Sequence, residues 1–247
     1  MHCLVMGGRG KVGSAIASII AEKFKCVHIL DKSQDSVPSK IPMDFLHVCI
    51  PYSKTFVKEV KKTMKDYKAR HVIIHSTVPV GTTRLFGNHV AHSPVRGQHD
   101  DLGSSVRRFI KYIGGNTEQT GKECEAHLRG MGLPVIRWTR SEETELMKLG
   151  CLSRLLNDLA FYENMEKICR QYGVAPVRLM EWTWSYNDGY VASSNTSKFM
   201  RPELTFPKGV AGGTCVYPVS DMLFQQTKNP WLKKNLDLFR PLRKKGK

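Results

Sequence analysis

The sequence predicts an α/β protein: a doubly wound parallel sheet, then a long central helix, then a short helical and loop region at the C-terminal end. Three observations predict it. Short apolar segments alternate with helical patterns through the first half. A glycine turn joins the first apolar segment to the first helix, and a single helical pattern runs from Ser141 to Gly173.

The stretch "HCLVMGGRGKVGSAIASII" reads as strand, turn and helix, with Gly8, Gly10 and Gly13 in G-x-G-x-x-G spacing. Gly8 is expected to permit the tight turn, Gly10 to let a pyrophosphate approach the backbone, and Gly13 to let helix and strand pack closely. Arg9, Lys11 and Val12 complete the turn and open the helix, whose N-terminal N–H groups and dipole suit an anion. "CVHIL" follows as a second strand and ends at Asp31, where a carboxylate takes the ribose 2′-hydroxyl of NAD and repels the 2′-phosphate of NADP. Arg9 and Lys32 leave some room for NADP.

The alternation continues with "FLHVCI" (45–50) as a buried strand, a basic helix over about 54–68, and "HVIIHSTV" (71–78) as another strand. Ligands of such sheets lie beyond the carboxyl ends of strands, which places Pro51, Tyr52, Ser76 and Thr77 near the nicotinamide end. "RRFIKYIGG", a helix over about 117–131 and "LPVIRW" complete a domain over 1–140. The remainder, 141–247, reads as a helical substrate and dimerisation region with a cysteine loop and a basic tail. In it Ser141 is the expected N-cap, Gly173 the terminator, and Leu149, Leu152, Leu156 and Leu159 the buried stripe.

Composition narrows the function classes. The chain begins without a signal-peptide pattern and has no apolar run long enough to span a membrane, so a cytoplasmic protein is expected. Seven cysteines without a CxxC pair fit neither a disulfide framework nor a zinc ribbon. His89, His92 and His99, followed by Asp100 and Asp101, match no zinc spacing and read as a polar loop over the cofactor cleft; no metal is expected there. The net charge of +16 favours anionic partners. Part of it lies in residues 232–247, where seven Lys or Arg oppose one Asp, a frayed, solvated tail that is also the place for nucleic acid to bind.

"HSTVPVGTTR" (75–84), "HSPVRG" (92–97), "EETELMKL" (142–149), "ENMEKICRQYGV" (163–174) and "GVAGGTC" (209–215) occur in the order of corresponding blocks of the UDP-glucose/GDP-mannose dehydrogenase family, which the chain resembles over nearly its whole length. The resemblance implies NAD as cofactor, a sugar-nucleotide-like anionic substrate oxidised at a primary alcohol, and a homodimer formed through the central helix. It implies Cys215 as a thiol that attacks an aldehyde intermediate, Lys148 as oxyanion partner or proton exchanger, and Thr77 as a positioner of water.

The chain also departs from the family. Val95, Leu152 and Val219 stand where the family has glutamate, asparagine and aspartate, and the chain ends soon after the cysteine block. One expectation is therefore a dehydrogenase on a smaller or differently held substrate, using Lys148 and Cys215, with His92, His99 or Asp221 as base. A second is a decayed NAD-binding module whose basic tail binds nucleic acid or a partner protein. A third is a one-step oxidoreductase using Lys148, with Cys215 a packing thiol.

Overall fold

A computed structural model describes residues 1–32, 41–97, 101–193, 199–204 and 215–244. The chain divides into two units, Met1–Lys148 and Leu149–Lys247, with the boundary inside the long helix.

The first unit is built on a seven-stranded sheet in the order β2-β1-β3-β4-β5-β6-β7. β1 (His2–Met6) leads through the glycine turn into α1 (Lys11–Ala21) and β2 (Cys26–Leu30). β3 (Phe45–Val48), α2 (Phe56–Asp66) and β4 (His71–Ile74) follow, then a 3-10 turn (Thr83–Phe86), β5 (Val90–His92), α3 (Leu102–Arg108), β6 (Lys111–Gly115), α4 (Glu118–Gly130) and β7 (Val135–Trp138). β1 to β5 are parallel, so their carboxyl ends share one edge. β6 runs antiparallel to β5, with Ala91 opposite Gly115, and pairs in parallel with β7.

The sheet is thus mostly parallel, not wholly so as the alternation suggested. Two further corrections concern the segment between β4 and β6. Val90–His92 is a buried central strand where a polar loop was expected, because three residues are too few to show periodicity. Arg107 and Arg108 close α3 and do not belong to a strand. Both faces of the sheet are covered: Ile16, Ile20, Ile73, Ile113 and Leu128 pack on one side, and Leu4, Leu46, Phe56, Val72 and Ile74 on the other. Burial on both faces is why these strands read as continuous apolar runs.

In the second unit, α5 (Ser141–Gln171) ends at Gly173, whose φ of 69° only glycine adopts without strain. Its Leu156 and Leu159 form a core with Val216 of α7 (Val216–Thr227) and Leu236 and Phe239 of α8 (Pro230–Lys244). The expected frayed tail is therefore corrected over this span: α8 is an amphipathic helix whose Leu232, Leu236 and Phe239 are buried. α6 (Val177–Ala192) holds the aromatic stretch "EWTWSYNDGY", with Trp182 strongly exposed. Arg201, beyond the end of α6, packs 3.8 Å over the Tyr186 ring and donates to its hydroxyl at 2.9 Å, so its charge is engaged within the unit. Among the described residues, no helix is long and apolar enough to cross a membrane.

Candidate dinucleotide and substrate site

The turn after β1 is more constrained than its spacing alone implies. The left-handed residue is Gly7, at φ 80°, and not Gly8. A Cβ on Gly8 would lie 2.8 Å from Ile29 Cγ2, so this glycine lets β2 close against the turn. A Cβ on Gly13 would lie 2.0 Å from Gly7 O, which makes Gly13 the point where helix and turn touch. At Gly10 the same atom would meet only Gly7 O, at 3.4 Å, leaving that side of the turn open. α1 begins immediately after Gly10 and carries no acidic residue in its first turn.

A cleft of about 800 Å³ opens over this turn, lined by Gly7, Arg9, Gly10, Asp31, Lys32 and Pro51 among others. Asp31 stands at the end of β2 and accepts a hydrogen bond from the Arg9 N–H at 3.1 Å, which fixes its carboxylate at the cleft. An open backbone turn, a helix N-terminus and an acceptor at the end of β2 together fit a dinucleotide. Gly7, Cys49, Ile50, Ser53 and Glu59 also line the cleft and were not anticipated. Burial pushes the Cys49 thiol up to about 12, so it lines the wall without reacting.

Lys11 is exposed in the first turn of α1, and Val12 packs against the core. Ser76 is spent on structure: its hydroxyl donates to Ile50 O at 2.6 Å and thereby ties the end of β4 to the cleft wall. Thr77 is next in the chain, half-buried, and among the described residues its hydroxyl has no partner.

Beyond the ends of β4 and β5, two lysines hold one segment. Lys111 Nζ donates to Ser93 O at 2.6 Å and to Pro94 O at 3.2 Å. Lys148 Nζ donates to Val95 O at 2.9 Å. Lys111 is wholly buried, and desolvation lowers its pKa to about 7, with the charge of Lys148 acting in the same direction. Arg96 adds an exposed guanidinium over the rings of Phe109 and Tyr112. Lys148 and Arg96 thus bring positive charge to the carboxyl edge of the sheet, while Lys111 serves beneath it as a buried donor to two carbonyls.

His92 is not available as a base. It is completely buried, its Nε2 faces Ser76 O at 3.1 Å, and its Nδ1 accepts from the Thr144 hydroxyl at 2.8 Å. Burial lowers its pKa to about 3. Glu145, which the sequence reading passed over, accepts from Gly81 N, Thr83 N and the Thr83 hydroxyl and so fastens the loop after Thr77 to the start of α5. Burial raises its pKa.

Cys215 precedes α7 as its N-cap and is half-buried. Residues 209–214 of the glycine loop, with Lys208, His99 and Asp100, lie outside the described residues. Val95 and Val219 are buried, and Leu152 packs at the edge of the second unit's core, so all three aliphatic replacements serve packing. Asp221 accepts from Gln225 one turn along α7.

No family model matches the chain, and no curated protein matches it in sequence. Solved structures do match in fold. UDP-D-ManNAc dehydrogenase from Pyrococcus horikoshii superposes with a TM-score of 0.81 at 17% identity, covering 98% of this chain and 69% of that one. UDP-N-acetyl-mannosamine dehydrogenase from Staphylococcus aureus gives 0.77 at 14%, covering 98% and 68%. 3-Hydroxyisobutyrate dehydrogenase from Mycobacterium tuberculosis, solved with L-serine, gives 0.69 at 14%, covering 98% of this chain and 93% of that one. The chain therefore has a dehydrogenase-like α/β fold.

Proposed function

We propose that the protein is an NAD-dependent dehydrogenase that removes one hydride from a primary alcohol of a small anionic substrate, with Lys148 as the proton-handling group. The observation that carries this reading is Lys148 itself. A lysine on the first turns of α5 is held by Val95 O at the same sheet edge as the cleft, whereas an ordinary surface lysine extends into solvent.

Bound NAD supplies the hydride acceptor. Gly7, Gly10 and the start of α1 receive its pyrophosphate, and Asp31 accepts from its ribose. Lys148 stabilises the developing alkoxide and passes the hydroxyl proton to solvent, so that alcohol becomes aldehyde as hydride and proton leave. Lys148 and Arg96 supply the positive field that draws the anion in.

A two-step oxidation through a Cys215 thiohemiacetal is the second reading, favoured by the family resemblance of the cysteine block. Against it stand Val95 and Val219, whose aliphatic side chains are buried in packing and can relay no proton. Stoichiometry separates the two. Incubation of a limiting substrate, drawn from a panel of 3-hydroxy acids and UDP-, GDP- and dTDP-sugars, is expected to give one NADH per molecule consumed. Two NADH would establish the thioester route, and no turnover with any member despite NAD binding would remove the enzyme reading.

Asp31→Ser is expected to shift preference from NAD toward NADP by about 10-fold to 100-fold, or ~1.4 to ~2.8 kcal/mol of differential binding. Arg9 and Lys32, both on the cleft wall, then face the 2′-phosphate unopposed by Asp31. Fluorescence titrations with the two nucleotides check it, and an unchanged ratio would place the ribose elsewhere.

A further inference from the structure

On the face of the same sheet that α4 covers lies a group of side chains to which the dehydrogenase reading gives no role. Cys3 of β1 and His47 of β3 share a face of the sheet, and His127 of α4 comes down on them. All three are buried, and one ligand atom from each lies within 4.8 Å of the others. The nearest pair, His47 Nε2 and His127 Nε2, is 3.0 Å apart. We propose that Cys3, His47 and His127 form a binding site for one borderline or soft metal ion of the zinc class.

The hydrogen-bond pattern prepares these atoms for a metal. His75 Nδ1 lies 2.9 Å from Ser93 O and 3.2 Å from Lys111 Nζ, which itself donates to Ser93 O; facing a carbonyl that can only accept, this nitrogen carries the hydrogen whenever Lys111 does not donate to it. His75 Nε2 is then an acceptor and takes the hydrogen of His47 Nδ1 across 3.0 Å. That leaves His47 Nε2 with its lone pair toward His127. A ligating histidine whose other nitrogen donates to an outer partner is the usual arrangement at metal sites, because it fixes both tautomer and ring orientation. Here the outer chain runs from His47 through His75 to a backbone carbonyl.

The His127 ring is held by stacking on Phe45, with centroids 3.7 Å apart. Its Nδ1 is buried without a hydrogen-bond partner. Tetrahedral zinc with bonds of about 2.0–2.1 Å to nitrogen sets its nitrogen ligands roughly 3.3 Å apart, so the two rings need to separate by only a few tenths of an ångström.

One thiol and two imidazoles select the metal class. Zinc, cobalt(II) and copper(I) accept this set, whereas calcium and magnesium require oxygen ligands. On binding a divalent ion the Cys3 thiol releases its proton to solvent, and the hydrogen between the imidazoles moves to His127 Nδ1. A cavity of about 670 Å³, lined by Met1, Asp44, Phe45, His71, Glu123 and His127, reaches the His127 side of the cluster. Cys3, His47 and His127 do not themselves line the cleft over the glycine turn, although the outer chain from His47 ends on the Ser93 carbonyl that Lys111 also holds.

The test uses the full-length, reduced, metal-free protein titrated with cobalt(II). One equivalent is expected to produce visible bands of tetrahedral intensity and a near-ultraviolet thiolate-to-cobalt band, both displaced by zinc, with one proton released per zinc. Cys3→Ser should abolish the thiolate band, and His127→Gln should weaken zinc binding at least about 100-fold. X-ray absorption on the wild-type one-zinc protein, which needs no variant, should show one sulfur and imidazole nitrogens. An absent thiolate band in the wild type, a band retained in Cys3→Ser, or a zinc shell of several sulfurs would each overturn the site.

Discussion

The protein is expected to lose stability steeply below neutral pH and to unfold in mild acid. His47, His75, His92 and His127 are all buried in the first unit, and burial is the largest cause of each lowered pKa. For His92 and His127 the values fall to about 3 and about 4, against 6.5 for a free ring. The folded state excludes protons that the unfolded chain binds once the pH drops under 6.5, so stability is present above that pH and disappears as it falls. One unit below 6.5, His92 and His127 each cost about 1.4 kcal/mol, and His47 and His75, whose values are also lowered by burial, act in the same direction. His92 and His127 together cost about 3 kcal/mol, a large share of the roughly 5–15 kcal/mol that stabilises a domain. Glu145, whose pKa is raised, acts in the opposite sense but is a single group. Urea unfolding followed at about pH 7.5 and about pH 5.5 should show the midpoint collapsing in the acid sample. A midpoint independent of pH would mean that these rings are hydrated in solution.

The second large effect is at Gly13. Alanine there puts a carbon 2.0 Å from Gly7 O, 2.6 Å from Gly7 C and 2.7 Å from Gly8 Cα, all of them backbone atoms that cannot swing aside. Gly13→Ala is expected to cost about 3 kcal/mol or more and to abolish NAD binding by displacing the turn. Gly10→Ala is the informative partner, because its added carbon meets nothing closer than Gly7 O at 3.4 Å. It should fold with near wild-type stability and lose NAD affinity by about 10-fold or more, ~1.4 kcal/mol, because a methyl group now stands on the open face of the turn. Thermal unfolding with and without NAD measures both, and equal behaviour of the two variants would contradict the turn geometry.

Much of this fold could be read from residue patterns. The β1 to α1 turn, the apolar strands that begin at Cys26, Phe45 and His71, and the terminator Gly173 announce themselves because local periodicity and backbone freedom are sequence properties, although the runs read as 45–50 and 71–78 leave the sheet after Val48 and Ile74. What stayed hidden depended on partners far along the chain. β5 is three residues long and owes its existence to β4 on one side and β6 on the other. α8 looked like a charged tail because its basic residues far outnumber its acidic ones, although Leu232, Leu236 and Phe239 recur at helical spacing and find α5 and α7. Lys111 sits in a strand pattern that gives no sign of the carbonyls it reaches at Ser93 and Pro94. The histidines of β3 and β4 did carry a signal: His47, His71 and His75 interrupt apolar strands, and a buried polar side chain always requires a partner. Alternation puts His47 on the face of Phe45, which points toward His127 once α4 is in place.

The measurement that most directly tests the central claim is steady-state NADH formation by the wild-type protein, Lys148→Ala and Cys215→Ala on the best substrate of the panel, with NAD affinity measured in parallel. The account predicts that Lys148→Ala lowers kcat/KM by about 10²-fold to 10⁴-fold with NAD binding unchanged, and that Cys215→Ala still yields one NADH per substrate. Full activity in Lys148→Ala, or loss of all turnover in Cys215→Ala, would contradict it.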